Sequence, residues 1–326
     1  RGALPCDAVR GVRCRDILLC MAQIRTPQGV TLEYETFGSS AERPLLAVMG
    51  YGSQLISWPR EFCERLAAGG RFVIAFDNRD CGLSSKLDGE GAETSAVIAA
   101  ASAGDFEKAR ELAPYTLSDM SDDGFGLLTA LGIEQAHVVG VSMGGMIAQT
   151  MAIEHRERLL TLTSVMSTTG ESQFGRSTPE AQQALLTPPP SDRAGYVEAA
   201  KRTLIWRSKK YPELEEARQL AGESYDRCYC PEGASRQLAA MIASGSRAEG
   251  LGQLEVPTLV VHGLDDTLIA PSGGERTAEL VPGARLLLIE NMGHDRPRPL
   301  WPEICEAILE HTAEQTAERA ASGSAS

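Results

Sequence analysis

Gly140-Val141-Ser142-Met143-Gly144 follows the apolar run His137-Val138-Val139 directly and leads into Gly145-Met146-Ile147-Ala148-Gln149-Thr150-Met151-Ala152. The run reads as a buried strand and the later stretch as a helix, so the pentapeptide has to turn the chain sharply between them. In so tight a turn only small residues fit beside the central one, and Gly140 and Gly144 are those residues. Gly145 lets the helix pack close to the sheet. The turn then holds the Ser142 hydroxyl up at the sheet edge. Without its flanks, a Gly-x-Ser-x-Gly pattern reads as an ordinary glycine-rich turn. The strand before it and the helix after it make a nucleophile the better reading.

A serine alcohol attacks poorly until a base takes its proton, so a histidine and an orienting carboxylate have to be found. The chain has five histidines. His155 falls in a charged stretch with Arg156 and Arg158 and reads as a solvated surface residue. His137 opens the strand that delivers Ser142 and belongs at the far end from the hydroxyl. His311 sits among Glu310 and Glu314. His294, in Asn291-Met292-Gly293-His294-Asp295, follows the apolar strand Ala284–Ile289 and so sits where open α/β sheets place their chemistry. It is the candidate base. His262 ends the strand Pro257–Val261 and reads as a brace for the turn after it.

The acid is expected between serine and histidine in the chain. Asp265 and Asp266 both lie in the loop after His262; Asp266 is the first choice and Asp265 the fallback. Ser167-Thr168-Thr169-Gly170, the other loop where such an acid can stand, holds no carboxylate. A tetrahedral intermediate also needs backbone N–H donors for its oxyanion. Met143, next after the nucleophile, is one candidate. Tyr51, in the turn Met49-Gly50-Tyr51-Gly52-Ser53 after the strand Leu45–Val48, is the other.

With these residues in hand, the chain resembles the α/β-hydrolase family from about Met21 to about His311. The likeness rests on Met49-Gly50-Tyr51-Gly52, Asp77-Asn78-Arg79-Asp80-Cys81-Gly82-Leu83-Ser84, the Ser142 pentapeptide, His262-Gly263-Leu264-Asp265-Asp266 and Gly293-His294. Tyr115-Thr116-Leu117-Ser118-Asp119-Met120 and Tyr225-Asp226-Arg227 narrow it to actinobacterial carboxylesterases of the LipG type and aclacinomycin methylesterases. The resemblance implies cleavage of a small-molecule carboxylic ester through an acyl-serine, with no cofactor and no metal. Asp266, four places after His262 and five before Pro271, has the spacing of the acid in related hydrolases. Met49 stands where many members have histidine, and Asp80 where many have glycine, which weakens any transfer of substrate preference.

Composition agrees with such an enzyme. A chain of 326 residues, 43% hydrophobic and 23% charged, suits one α/β domain with an insertion. A net charge of −13 argues against a nucleic-acid partner, and no apolar run is long enough for a membrane span. The eight cysteines form no spaced framework, and Cys228-Tyr229-Cys230 is too close-set for an easy disulfide, so the thiols read as reduced and the setting as cytoplasmic. Residues 1–20 lack the long apolar core of a secretory signal; they read as a disordered extension before Met21, with a targeting arm the less favoured alternative. Residues 312–326, small and polar, read as a disordered tail.

Between these ends, apolar strands alternate with helical segments, from the hairpin at Pro27-Gln28-Gly29 onward, which indicates a mostly parallel sheet with helices on both faces. The expected core is 21–170 plus 256–311. Residues 171–255, with Pro188-Pro189-Pro190 and several helix-forming runs, break the alternation and read as an inserted helical cap. Within it Trp206 and Tyr225 are candidate pocket residues, although aromatics at helical spacing also serve simply to hold a lid together. The helix-rich 93–112 stretch can extend the rim. Chemistries sharing the same triad are a cofactor-free haloperoxidase or perhydrolase, a lactonase and a carbon–carbon bond hydrolase; a non-catalytic ligand receptor is the alternative from another class.

Overall fold

Strands apolar on both faces are stable only inside a sheet covered twice. In the computed structural model, which describes residues 21–87 and 93–323, such strands occupy the centre. The extension expected at 1–20 lies outside the described residues, as do 324–326. β1 (Met21–Arg25) and β2 (Thr31–Phe37) form the antiparallel hairpin expected around Pro27-Gln28-Gly29. β2 continues antiparallel to β4 (Arg71–Phe76). β3 (Arg43–Val48), β5 (Ala136–Val141), β6 (Leu159–Val165), β7 (Thr258–Gly263) and β8 (Arg285–Ile289) complete the sheet, all in parallel pairings. The order is β1-β2-β4-β3-β5-β6-β7-β8. β5 and β7 are buried at every position.

Register decides where the chemistry can be. Val48 pairs with Gly140, Val141 with Val165 and Val165 with Val261, so β3, β5, β6 and β7 end level with one another. Gly263 pairs with Ile289, which brings the loop after β8 to the same edge. One face of the sheet is covered by α1 (Arg60–Ala68) and α12 (Trp301–Gly323), where Phe62, Leu66, Ile304 and Ile308 meet Leu45, Val139 and Val261. The other is covered by α4 (Leu117–Ala130) and α5 (Met143–Glu154), where Leu127, Ile147 and Met151 meet Leu46, Val48 and Val138.

Helices also stand away from the sheet. α2 (Thr94–Ser102) and α3 (Phe106–Leu112) lie between β4 and α4 in the chain. α6 (Pro179–Leu186), α7 (Arg193–Ala199), α8 (Leu214–Arg227) and α9 (Pro231–Ser244) lie between β6 and β7, with a 3-10 stretch at Ala200–Ile205. α9 packs on α2 and α3 through a small cluster of Val97, Ala109, Ala239 and Ala243. Two arginines anchor this layer to the body. Arg227 at the end of α8 reaches buried Asp77 at 2.6 Å, and Arg236 on α9 grips buried Asp80 at 2.9 and 2.8 Å. α10 (Ala248–Gly252) then returns the chain to the body, with Leu251 and Leu254 in its core; α11 (Ser272–Leu280) follows β7.

The disordered tail expected from residue 312 needs correction. α12 continues to Gly323, and Thr312 is buried, its Oγ1 accepting from Arg71 Nε at 2.8 Å. Composition misled here because alanine and glutamate, plentiful in this run, are also strong helix formers that extend a helix already nucleated upstream. No helix among the described residues is long and apolar enough to cross a membrane.

Candidate active site

Ser142 sits between β5 and α5 at φ 58° and ψ −121°, a backbone conformation that costs a non-glycine residue roughly 1–3 kcal/mol. Its neighbours explain why the turn tolerates only glycine. A Cβ on Gly140 would meet the Gly144 carbonyl oxygen at 2.0 Å, and one on Gly144 would meet the Val48 oxygen at 2.2 Å. The Ser142 N–H donates to Val165 at 2.9 Å, and Ser167 Oγ donates to the Ser142 carbonyl at 2.9 Å. The strained conformation is thus held from β3, β5 and β6 together. Gly144→Ala is expected to cost about 3 kcal/mol or more, because backbone has to move. Chemical denaturation measures this, and a variant as stable as the parent would show that the close approach is not enforced.

The structure brings the expected trio together. The Ser142 hydroxyl lies 2.9 Å from His294 Nε2, and His294 Nδ1 lies 2.7 Å from Asp266 Oδ2. Asp266 is buried, and its Oδ1 accepts the N–H groups of Leu268 and Ile269, each at 2.9 Å. Burial alone would raise its pKa. The neighbouring His294 imidazole, with hydrogen bonds from His262 and His294, more than offsets that and holds the carboxyl at about 2. The ion is therefore the form present at neutral pH, with the His294 Nδ1–H donating to it and Nε2 free to accept from Ser142. Asp265, the fallback, contributes its backbone instead. Its N–H donates to the Met292 carbonyl at 2.9 Å and ties the two loops together.

The other histidines lie apart from the serine. His262 is buried behind Asp266, its Nε2 donating to the Ile269 carbonyl at 2.8 Å and 3.4 Å from Asp266 Oδ2. It braces the turn, as expected. His137 is buried at the start of β5 against Thr161, His155 is half-buried against the Phe125 ring, and the buried His311 donates to the Leu162 carbonyl.

Gly50 lies against the serine: a Cβ there would meet the Ser142 Cβ at 3.1 Å. The next N–H, that of Tyr51, has no acceptor among the described residues. Met143 opens α5, so its N–H has no acceptor within the helix. An oxyanion at Ser142 requires such donors, and these two unpartnered N–H groups are the candidates. The Tyr51 turn is held by Asn78 Nδ2 donating to the Met49 carbonyl at 2.9 Å, and by Gln237 of α9 accepting from the Gly52 N–H at 2.9 Å.

The two aromatic candidates separate. Trp206 is next to the site, its carbonyl accepting the His294 N–H at 2.6 Å. Tyr225 belongs to a tyrosine cluster with Tyr196 and Tyr229, its hydroxyl donating to the Ser191 carbonyl at 2.8 Å, so that it fastens α8 to α7. Sequence reading missed three contributors: Gln237, Asp295 and the backbone of Trp206–Ser208. Each meets its partner far along the chain, and nothing local marks it. Among the described residues no three His, Cys, Asp or Glu side chains are grouped to hold a metal ion.

Comparison with known proteins places this geometry in context. The rhodomycin D methylesterase DauP of Streptomyces sp. (strain C5) is 31% identical to the chain, over 89% of it and 98% of that protein. The rhodomycin D methylesterase DnrP of Streptomyces peucetius is 30% identical over the same shares, 89% and 98%. The structure of a thermophilic esterase from Thermogutta terrifontis matches with a TM-score of 0.66 at 24% identity, covering 90% of this chain and 98% of that one, a likeness of fold. The sequence pattern of the alpha/beta hydrolase fold matches residues 43–295, from the start of β3 through the His294 loop. The chain belongs to the alpha/beta hydrolase fold family.

Proposed function

We propose that the protein is a serine hydrolase that cleaves small-molecule carboxylic esters, with Ser142 as nucleophile, His294 as general base and acid, and Asp266 as the orienting carboxylate. The observation that carries this reading is the unbroken chain of contacts from Ser142 through His294 to Asp266, at 2.9 and 2.7 Å. Ser142 Oγ attacks the ester carbonyl carbon while its proton passes to His294 Nε2. The Tyr51 and Met143 N–H groups receive the oxyanion of the tetrahedral intermediate. Collapse breaks the bond to the alcohol, which leaves with the proton from His294. Water then attacks the acyl-serine, its proton again taken by His294, and the acid departs from Ser142.

Methyl esters are the first class to consider, since two relatives of nearly the same span are methylesterases. The helices α6–α9 are the cap in this reading, with α2 and α3 as its rim, and Trp206 brings the cap's wall to the histidine. Cys63, Cys81, Cys228, Cys230 and Cys305 are free thiols, which supports a reducing, cytoplasmic setting.

The test is hydrolysis of p-nitrophenyl esters from acetate to palmitate, together with methanol release from aromatic methyl esters. Turnover of at least one class is expected. The preferred acyl length would gauge the space under the cap. Turnover that persists undiminished when Ser142 is replaced by alanine would overturn the mechanism.

A further inference from the structure

The cap meets the body directly at the histidine. The chain leaving the 3-10 stretch, Trp206-Arg207-Ser208, runs alongside Gly293-His294-Asp295 and bonds to it in both directions. The His294 N–H donates to the Trp206 carbonyl at 2.6 Å, and the Ser208 N–H donates to Asp295 Oδ1 at 3.0 Å. The approach leaves no space between the two backbones: a Cβ on Gly293 would stand 2.3 Å from the Trp206 oxygen and 2.6 Å from the Ser208 nitrogen. Asp295 ties this junction together. The same Oδ1 also accepts the Gly293 N–H at 3.2 Å, which curls the loop around the residue that carries the imidazole. Its Oδ2 lies 3.3 Å from Arg207 Nε, an ion pair that joins the loop to the cap segment.

We propose that Asp295, seated on the Trp206–Ser208 segment and paired with Arg207, is a positioning residue that holds His294 in line with Ser142. The proposal rests on His294 being the general base. The body side of the same loop is fastened as well: Arg296 Nη2 donates to the Ser57 carbonyl at 2.9 Å, and its guanidinium lies 4.6 Å from the Trp58 ring centre. The loop is therefore clamped from both directions, and the cap supplies one of the two jaws. A buried carboxylate is costly unless it is charge-paired and hydrogen-bonded, and burial does push Asp295 above its ordinary range. Its three partners here are Gly293, on the other side of His294, and Ser208 and Arg207 of the cap segment. A role confined to stability would not require those particular partners. Shifting the imidazole by about 1 Å would separate it from the serine, and misplacement of that size costs about 10²-fold in rate.

Three variants of the full chain test this, Asp295→Ala, Asp295→Asn and Arg207→Met, each normalised to folded protein by thermal melting. The readouts are kcat and KM on the best ester and the rate at which a fluorophosphonate labels Ser142. Asp295→Ala is expected to lower kcat and the labelling rate together, by about tenfold to a hundredfold, with KM within about threefold. Asp295→Asn keeps an oxygen that accepts the Ser208 and Gly293 N–H groups, so it is expected to recover most of that loss. Arg207→Met, at the partly exposed end of the pair, is expected to show a smaller fall in kcat of the same kind. It keeps the test decisive if Asp295→Ala does not fold. Folded Asp295→Ala, or failing that Arg207→Met, labelled and turning over at the parent rate would overturn the proposal while leaving the ester hydrolase reading intact. A parent protein that neither hydrolyses esters nor takes the label would overturn that reading, and this proposal with it.

Discussion

Replacing Ser142 by alanine is expected to lower kcat by on the order of 10⁶-fold, with KM and melting temperature little changed. The size follows from what is lost: in the proposed mechanism the attacking oxygen is the Ser142 hydroxyl, which lies 2.9 Å from His294 Nε2. Stability survives because the positive φ of this residue is set by Gly140, Gly144 and the bonds from Val165 and Ser167, none of which involves the serine hydroxyl. A second measurement sharpens the argument. In the proposed mechanism Ser142 and His294 act as one unit, so Ser142→Ala combined with His294→Ala is expected to be no slower than either alone. Losses that simply multiply would mean the two residues work separately, and a kcat for Ser142→Ala within tenfold of the parent would remove the nucleophile assignment.

Asp266→Asn is expected to cost about 10⁴-fold in kcat with the fold retained. The neighbours force the amide's orientation. Leu268 and Ile269 both point N–H groups at Oδ1, so the new amide must place its oxygen there and its NH2 where Oδ2 was. That NH2 then donates to His294 Nδ1. The imidazole must in turn carry its proton on Nε2, and it can no longer accept the proton of Ser142. Activity of Asp266→Asn within tenfold of the parent would show that the tautomer is not set by this carboxylate. The same site bears on the pH dependence of the parent. With its carboxyl at about 2, Asp266 stays ionised throughout the ordinary acid range. Protonation of this carboxylate is therefore not expected to cost activity in the mildly acid range. Stopped assays across a buffered pH series would show it.

The residues of the proposed triad were legible because each stands in a turn whose geometry is written locally. Gly140 and Gly144 record backbone clashes within a few residues of Ser142. The loops holding Asp266 and His294 follow apolar strands whose ends the parallel register brings level. What was not legible is how the α6–α9 layer bonds to the body. The Gly52–Gln237 bond spans 185 residues and the Ser208–Asp295 bond spans 87, and a lone glutamine or aspartate carries no trace of so distant a partner. Tyr225 shows the converse. Its aromatic character marked it out, yet its hydroxyl and ring are spent on joining two helices of the cap. The end of α12 was misread for a third reason: polarity says that a segment need not be buried, and says nothing about whether it continues a helix begun upstream.

The small apolar seam of Val97, Ala109, Ala239 and Ala243 has a consequence for how such proteins diversify. The segment that intrudes between β6 and β7 does not make a finished module, because α9 buries part of its apolar face against α2 and α3, which are encoded before Ser142. Two separate stretches of chain therefore have to be inherited as a matched set. A transplant that moved the long insertion by itself would leave alanine-sized contours on one side facing an unrelated surface on the other. Any exchange of the long insertion would therefore have to carry α2 and α3 with it.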